Sequence, residues 1–496
     1  MDIFHSLLTG FSLALEPENL LFCFLGVFIG TLVGVLPGIG PIGAISILLP
    51  ATFRMSPISA TIMLAGIYYG TMYGGSTTSI LVNIPEEAAS VVTCLDGYEM
   101  AKKGEAGPAL GIAAFGSFFA GTLGLVGLML FAAPLSEFGL KFGSPEYTGV
   151  ILLGFTLVIY LTHGSIIKGV MMGAVGLFLS CIGLDRIHGS TRMSFNLMDL
   201  MDGINLAPLA MGLFGVSEIL MNLEESENPE ILKTKIKNLF PTMRHWMQAK
   251  GAIVRGSVLG FFVGILPGGT GLLSSFLSYG LEKRLSKDPG RFGKGAIEGV
   301  AGPEAANNAT AAGCFVPLFT LGIPPNTTMA LILGALIIHG MAPGPLLLQD
   351  NPNLFWGTVS SMYIGNVMLL VLNLPLIPLW VQVLKVPYRI LFPLILLFCL
   401  IGAYSIRNSM FDVFAVIIFG ILGYFFRKFA YEGAPLILAF VLGPIFELNL
   451  RQSLILSRGS FSIFFTRPIT AVAIGIALLL FVTSLIPYFR RAKKYT

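Results

Sequence analysis

Long apolar stretches follow one another along this chain, separated by short polar or Gly/Pro-rich breaks. A helix needs about 20 mainly apolar residues to cross the hydrocarbon core of a bilayer. Candidate stretches lie at 19–36, 58–84, 109–134, 147–162, 165–184, 205–222, 251–280, 305–338, 354–380, 391–404, 410–426, 434–448 and 467–488. Several are too long or too short for one crossing, so the pattern predicts about 11 to 14 membrane elements.

The composition agrees with this pattern. Hydrophobic residues make up 55% of the chain and charged residues 11%, and the mean hydropathy is +0.83. Soluble domains carry about 25% charged residues. The strands of a membrane barrel would alternate apolar and polar positions, whereas these stretches are continuously apolar. We therefore expect an all-α polytopic integral membrane protein. The net charge of +4 gives no reason to expect a nucleic-acid partner.

Two of the breaks have the same pattern, Gly-x3-Gly-x3-Gly-x-Leu-Pro-Gly, at 26–38 and 256–268. Seven of the thirteen positions are identical. The pieces that follow, 36–50 and 267–280, are candidates for re-entrant helices. Hydrophobic segments interrupted by Gly and Pro at matching positions of two halves are typical of the substrate site of a secondary transporter.

A second motif follows each break, at 69–79 and 303–313, and ends in Asn83-Ile84-Pro85 or Gly322-Ile323-Pro324. The basic residues around the motifs are distributed in opposite ways. Between the two motifs the first half has Arg54 only, whereas the second has Lys283, Arg284, Lys287, Arg291 and Lys294. After the second motif the first half has Lys102 and Lys103, whereas 339–353 has neither Lys nor Arg. By the positive-inside rule, equivalent loops face opposite sides, which predicts two inverted-topology repeats with broken helices.

The division that we predict is a first transmembrane repeat at 1–222, a linker at 223–250 and a second transmembrane repeat at 251–496. The linker contains four glutamates followed by Lys233, Lys235, Lys237 and Arg244. Its basic residues indicate a cytoplasmic linker or interfacial helix, and those of the C-terminus place that end in the cytoplasm as well.

Five segments carry a resemblance to a known family: 34–41, 68–85, 95–114, 292–313 and 321–347. In these segments the chain resembles the large membrane subunit of the tripartite tricarboxylate transporters, and the likeness extends from about residue 20 to 470. The resemblance implies a multi-pass permease of the bacterial inner membrane. Its partners would be a small membrane subunit and a periplasmic substrate-binding protein. Its substrates would be citrate, other tricarboxylates, or some aromatic or dicarboxylic acids, moved by an ion gradient.

The chain departs from the family pattern at two expected hairpin tips. The family usually has Asn-Ile-Pro-Gly-Glu at the first tip, where this chain has Glu86 and Glu87 after Pro85. The family usually has Gly-Ile-Pro-Gly at the second, where this chain has Pro325 and Asn326. An added carboxylate at a tip can repel a tricarboxylate, or it can bind a cation or a proton.

Backbone amides at broken helices, with nearby hydroxyl and amide side chains, suit a buried carboxylate substrate. The substrate-binding residues that we predict are Gly38, Gly40, Gly75, Ser76, Thr77, Asn83, Gly268, Gly269, Asn307, Asn308, Asn326 and Thr327. Those predicted for a coupling ion, Na⁺ or H⁺, are Thr78, Glu304, Thr310 and Thr328. No other cofactor is expected.

Simpler interpretations remain open for these residues. The glycines of the repeated pattern can serve helix packing alone. Glu304 can lie at the membrane interface, near the N-terminus of the next helix. Asp96, in Leu-Asp-Gly-Tyr, is typical of a turn at the cytoplasmic surface.

Two other kinds of function are weaker alternatives to a transporter. Gly74-Gly75-Ser76 resembles the turn of a serine nucleophile, but the sequence offers no His or Lys partner at membrane depth. An intramembrane enzyme is therefore not favoured, and we expect no catalytic residues. A channel or an assembly scaffold is the other alternative.

Overall fold

The computed structural model of the protein describes residues 3–36, 38–85, 87–161, 165–185, 187–224, 238–384, 386 and 388–492. Up to the linker, the helices are α1 (Ile3–Ala14), α2 (Pro17–Val35), α3 (Gly40–Thr52), α4 (Pro57–Val82), α5 (Val91–Thr93), α6 (Glu99–Lys102), α7 (Ala106–Gly139), α8 (Ser144–Tyr160), α9 (Ile166–Ser180), α10 (Leu206–Ala210) and α11 (Ser217–Glu224). Cys94–Tyr98 and Met211–Val216 are π-helical, and Ala88–Ser90 and Met198–Leu200 are 3₁₀-helical. Two short antiparallel strands, β1 (Gly183–Leu184) and β2 (Thr191–Arg192), form a hairpin.

After the linker come α12 (Met243–Ile265), α13 (Gly271–Leu285), α14 (Glu298–Leu321), α15 (Thr327–Ile338), α16 (Leu347–Asp350), α17 (Pro352–Asn373), α18 (Ile377–Val383), α19 (Tyr388–Arg407), α20 (Met410–Lys428), α21 (Gly433–Leu456), α22 (Ile463–Thr466) and α23 (Pro468–Ala492). Pro289–Arg291 is a 3₁₀ turn. Of the predicted linker, 225–237 lies outside the described residues, and 243–250 forms the start of α12.

The predicted all-α polytopic membrane fold is confirmed. Within the described residues, seven helices are long and apolar enough to cross a membrane, and shorter apolar helices lie between them. Three of the predicted stretches each contain residues of two separate helices, and one of these, 354–380, breaks between α17 and α18. The stretch 251–280 breaks between α12 and α13, and 305–338 breaks between α14 and α15.

The repeated glycines are the packing faces of two helix pairs, α2 with α4 and α12 with α14. A Cβ added at any of the six would lie within 2.6 Å of a carbonyl oxygen on the partner helix, closer than real Cβ atoms come. The carbonyls facing Gly26, Gly30 and Gly34 belong to Met63, Ile67 and Thr71, and those facing Gly256, Gly260 and Gly264 belong to Gly302, Ala306 and Thr310. Both pairs thus pack in the same register, in steps of four residues. The packing interpretation of these glycines is confirmed.

The second helices of the two pairs also end alike. α4 ends at Asn83 with φ 60°, and α14 ends at Gly322 with φ 67°, so both C-caps are left-handed. Such a cap reverses the chain after a helix. Each cap is followed by Ile-Pro and then by a tip that precedes the next helical segment.

Asp96 joins the two halves. It is fully buried in the π-helical segment, and its Oδ1 accepts hydrogen bonds from the amides of Gly293, Gly295 and Ala296 at 2.7–2.9 Å. The Tyr279 hydroxyl donates to its Oδ2 at 2.9 Å. The expectation of a surface turn at Asp96 is therefore wrong. Its partners lie in the other half, roughly two hundred positions along the chain, so local sequence could not reveal them.

Ion pairs connect the β1–β2 hairpin to α21. Arg192 contacts Glu447 at 2.8 Å, and Arg451 contacts Asp185 at 2.9 Å. The Ile187 amide donates to Asp185 at 2.8 Å. This amide and the Arg451 guanidinium hold the pKa of the Asp185 carboxyl well below its usual range.

Candidate functional site

The two breaks and the two tips line one cavity of about 810 Å³. Ligand pockets for small molecules span about 300–1,000 Å³. The break after α2 contributes 38–43 and the break after α12 contributes Gly268, Thr270, Gly271 and Leu272. The first tip contributes 87–89 and the second contributes 325–328. Segments far apart in sequence therefore meet around a single space.

Three helices begin at this cavity: α3, α13 and α15. Gly38 and Gly268 have φ of 99° and 79°, in the left-handed region that glycine tolerates, which lets the chain turn after α2 and α12. Thr270 caps α13 by accepting from the Leu273 amide, and Asn326 caps α15 by accepting from the Met329 amide at 3.0 Å. Helix N-termini present unpaired amides and partial positive charge, so the cavity wall suits an anion.

Hydrogen bonds fix each tip to the second half. The Asn326 side-chain amide donates to the Gly269 carbonyl at 3.1 Å, and the Gly268 amide donates to the Pro325 carbonyl at 2.8 Å. At the first tip, the Asn307 amide donates to Glu87 at 2.9 Å. The first tip is therefore held by a helix of the other half.

The predicted substrate residues fall into two groups. Gly38, Gly40, Gly268, Asn326 and Thr327 line the cavity, and so does Thr328, predicted for the coupling ion. The others do not line it: Gly75, Ser76 and Thr77 are buried within α4, Asn83 is the exposed cap at its end, and Gly269, Asn307 and Asn308 lie behind the wall. Glu86, at which the chain departs from the family pattern, lies outside the described residues.

Glu304 is deeply buried in α14, with 2% of its surface exposed. The side chain is therefore enclosed by protein, while the interfacial interpretation, which concerns its depth in the membrane, stays a prediction. The Ser76 hydroxyl bonds to one carboxylate oxygen at 2.5 Å, and the Thr93 hydroxyl bonds to the other. The Asn308 amide donates to the Glu304 backbone carbonyl at 3.0 Å and to Ser117 at 2.7 Å.

The two remaining residues predicted for a coupling ion bond to backbone carbonyls. The Thr78 hydroxyl donates to the Val35 carbonyl at 2.9 Å, at the end of α2. The Thr310 hydroxyl lies 2.9 Å from the Gly260 carbonyl and 2.7 Å from the Ser274 hydroxyl. These bonds connect the paired helices next to the breaks.

Sequence reasoning missed one wall of the cavity. Phe214, Glu218, Arg427, Tyr431 and Glu432, near the ends of α11 and α20, also line it. Arg427 forms an ion pair with Glu218. An arginine at the end of an apolar stretch normally indicates only a membrane boundary, so nothing in the local pattern marked this wall.

Comparison with known proteins identifies the family. The model of the "Tripartite tricarboxylate transporter TctA family" matches residues 20–438. A protein of Agrobacterium vitis described as "Uncharacterized 52.8 kDa protein in TAR-I ttuC' 3'region" is 51% identical over 490 residues, which is 99% of this chain and 98% of that protein. A second, "Uncharacterized protein in TAR-II ttuC' 3'region", is 54% identical over 231 residues, or 47% of this chain and 96% of its own length. No solved structure matches this chain. The chain thus belongs to the tripartite tricarboxylate transporter TctA family, as a multi-pass permease subunit whose family implies a small membrane subunit and a periplasmic binding protein as partners.

Proposed function

We propose that this protein imports small organic di- or tricarboxylates across the bacterial inner membrane. It receives the acid from its binding protein and moves it by alternating access, coupled to an ion gradient. The observation that carries the proposal is the meeting of three helix N-termini at one cavity, formed by the two glycine breaks and the second tip.

The charges around the cavity support ion coupling. The cavity is lined by three carboxylates, those of Glu87, Glu218 and Glu432, and by the guanidinium group of Arg427. Negative side chains therefore exceed positive ones among these lining residues. A helix N-terminus favours an anion by about 0.3–1 kcal/mol when exposed and up to about 2 kcal/mol when partly buried. A multiply charged acid gains from three such termini but is repelled by the glutamates. A cation or proton bound together with the acid would offset that repulsion.

The contacts between the halves support an inverted repeat. Gly97, which follows the second motif of the first half, packs beside Ile80 near the end of α4. The same segment bonds the second half's loop between motifs, at 293–296. Before the start of α4, the Thr52 backbone lies beside the His339 side chain, which follows the second motif of the second half. Equivalent loops of the halves thus occur at opposite ends of α4. Two halves in opposite orientations are what alternating access uses.

The position of the linker supports an inward-facing state. Glu218 and Arg427, which line the cavity, lie close in sequence to Glu224 and Lys428, which contact each other at 2.9 Å. Glu224 is the second residue of the predicted cytoplasmic linker, 223–250. We therefore place this wall of the cavity toward the cytoplasm, on the same side as the linker and the C-terminus.

An intramembrane enzyme gains no support from the site. The serine that would act as nucleophile, Ser76, is bonded to Glu304 rather than to a histidine or lysine in the described structure. A channel differs from a transporter in that it cannot concentrate its substrate. Uptake assays separate the three: a transporter accumulates the acid, a channel equilibrates it and an enzyme consumes it.

A charge placed at one helix N-terminus tests the site. Aspartate is as good a helix cap as threonine, so Thr270→Asp keeps the cap of α13 and adds a carboxylate at the cavity. A like charge at about 8 Å, at an effective dielectric constant of about 20, costs about 2 kcal/mol. We therefore expect citrate uptake by the complete three-subunit complex, in vesicles, to need roughly tenfold or more substrate.

Thr242→Asp is the matched control. Thr242 caps α12 with the same geometry, its hydroxyl accepting from the His245 amide at 3.4 Å as that of Thr270 accepts from Leu273 at 3.4 Å. It is exposed and does not line the cavity. Uptake by Thr242→Asp should equal that of the wild type. If Thr270→Asp also transported normally, the cavity would not be the substrate site.

A further inference from the structure

Six carboxylates are buried in the described part of the chain, and Glu304 differs from the other five. Glu146, Asp185, Glu282 and Asp412 each pair with an arginine, at 2.6–3.3 Å. Asp96 accepts three backbone amides and a tyrosine hydroxyl. Glu304 has two hydroxyl partners, Ser76 and Thr93, and its side chain takes part in none of the ion pairs between described residues.

Within the described part of the chain, the groups around Glu304 supply no positive charge. The titratable side chains that interact with it are Tyr73 from α4, Glu87 from the first tip and Cys94 from the π-helical segment. On the opposite side of α14, Glu282 packs beside Gly302, and the arginine of α12 in that region is bound to it. Burying an unpaired carboxylate costs several kcal/mol, and protonation removes that cost.

From this environment we propose that Glu304 binds a proton, which is the coupling ion of transport, and that it exchanges this proton with the cavity by way of Glu87. The inference rests on the transport function proposed above. Proton binding forms an O–H bond on a carboxylate oxygen of Glu304 and leaves a neutral acid. On release, the proton passes to the Glu87 carboxylate and then to water in the cavity.

The two hydroxyl partners serve both states of the carboxyl. A hydroxyl is a donor and an acceptor and can rotate between the two roles. When Glu304 is ionised, Ser76 and Thr93 both donate to it. When it is protonated, one hydroxyl accepts the acid proton while the other still donates. An arginine in the same place would instead favour the ionised carboxylate over the neutral acid.

The path to the cavity runs along one face of α14. Asn307 follows Glu304 by three residues, so the two side chains lie on the same face of the helix. Asn307 donates to Glu87 at 2.9 Å, and Glu87 lines the cavity. Thr93, six residues after Glu87, bonds Glu304 directly. A substrate that moves the first tip therefore also moves a hydrogen-bond partner of Glu304, which links occupancy of the cavity to the proton site.

Infrared spectroscopy of the full chain in lipid tests the proton site without any substrate. A protonated carboxylic acid has a carbonyl stretch distinct from that of a carboxylate. At neutral pH in sodium-free buffer, we expect this band in the wild type and its loss in Glu304→Gln. The matched control is Glu298→Gln, at the start of the same helix, because Glu298, unlike Glu304, forms an ion pair with an arginine, Arg291. That variant should keep the band.

The spectra also decide between a proton and a metal cation. The band should be unchanged when sodium is added. A wild-type protein without the band, or a band that survives in Glu304→Gln, would overturn the proposal. A band that disappears when sodium is added would overturn it as well, because the carboxylate would then be a sodium ligand.

Transport by the complete complex tests the coupling, with citrate as the probe. Glutamine mimics the neutral acid, so Glu304→Gln should still exchange labelled citrate across the membrane but should no longer accumulate it in response to a pH gradient. Glu298→Gln should do both. Accumulation by Glu304→Gln equal to that of the wild type would refute the coupling role. If the wild type neither exchanged nor accumulated citrate, the proposed substrate class would fail, while the infrared band would still decide the proton site.

Discussion

The close packing of α12 on α14 makes a strong prediction for a single methyl group. In Gly264→Ala the new Cβ would lie 2.5 Å from the Thr310 carbonyl oxygen, whereas ordinary contact begins at 3.4 Å. The helices would have to separate by the difference, 3.4 Å minus 2.5 Å, or about 0.9 Å. The bond from the Thr310 hydroxyl to the Gly260 carbonyl, 2.9 Å long, would then pass beyond hydrogen-bonding distance.

The cost follows from these two effects. Overpacking a close-packed site costs about 1–3 kcal/mol, and the lost hydrogen bond costs about 1 kcal/mol. The higher helix propensity of alanine relative to glycine offsets about 1 kcal/mol of this cost. The net destabilisation should be about 1–3 kcal/mol. Gly34→Ala, whose Cβ would lie 2.5 Å from the Thr71 carbonyl, should cost a similar amount because it occupies the equivalent place in the other pair.

Thermal unfolding of the purified protein in detergent measures this effect. Gly280→Ala is the matched control, since Gly280 is an exposed helical glycine of α13 with no atom within 4 Å of its added Cβ. It should be neutral or slightly stabilising. If Gly264→Ala and Gly34→Ala melted at the same temperature as Gly280→Ala, the glycine faces would not determine the helix spacing.

Three further predictions concern the contacts outside the helix pairs. Asp96→Ala removes three hydrogen bonds from the 293–296 loop and one from Tyr279, so trypsin should cleave after Arg291 or Lys294 faster than in the wild type. Asp288→Ala, in the same exposed loop, should leave the rate unchanged. Asp185 has a lowered pKa in the folded protein, so its contribution to stability is complete above its unfolded pKa of about 3.9 and is lost as the pH falls toward the folded pKa. The melting temperature should therefore fall less on acidification in Asp185→Asn than in the wild type, and equal falls would contradict this role. Cysteines introduced at Lys103 and Leu346 should react with impermeant reagents from opposite sides of the membrane, and reaction from one side would exclude the inverted repeat.

The sequence was sufficient for features that depend on short-range patterns. The positions of the long apolar stretches predicted nearly all the long helices, and the Leu-Pro-Gly sequences predicted the breaks after α2 and α12. The glycine spacing of four also marked a helix-packing face, because residues at that spacing lie on one side of a helix. The positions of Asn326 and Thr327 at the cavity followed from the recurrence of Ile-Pro after both second motifs.

The features that the sequence missed depend on contacts between distant residues. The sequence around Thr93 is apolar, and nothing in it indicates that the Thr93 hydroxyl bonds to Glu304. Likewise, nothing in the sequence around Arg427 indicates that this residue lines the cavity. Ser76 appeared to be a substrate ligand because its neighbours are small and polar, yet its hydroxyl is bonded to Glu304. A dense run of polar residues thus marks a polar interior without distinguishing its cavity wall from the groups behind it.

Because the two helix pairs pack in the same register, their positions can be compared one by one. The comparison shows where a buried carboxylate distinguishes the second half from the first. Gly26 packs on Met63, and Gly256 packs on Gly302. Two positions further along each partner helix stand Ala65 in the first half and Glu304 in the second. The duplicated backbone therefore offers two equivalent buried places, of which one carries a carboxylate. Because burial makes such a group costly unless it is paired or protonated, the alanine keeps the first place neutral at no cost. The proposed mechanism accordingly has one buried proton site of this kind in each chain, although the scaffold that holds it occurs twice.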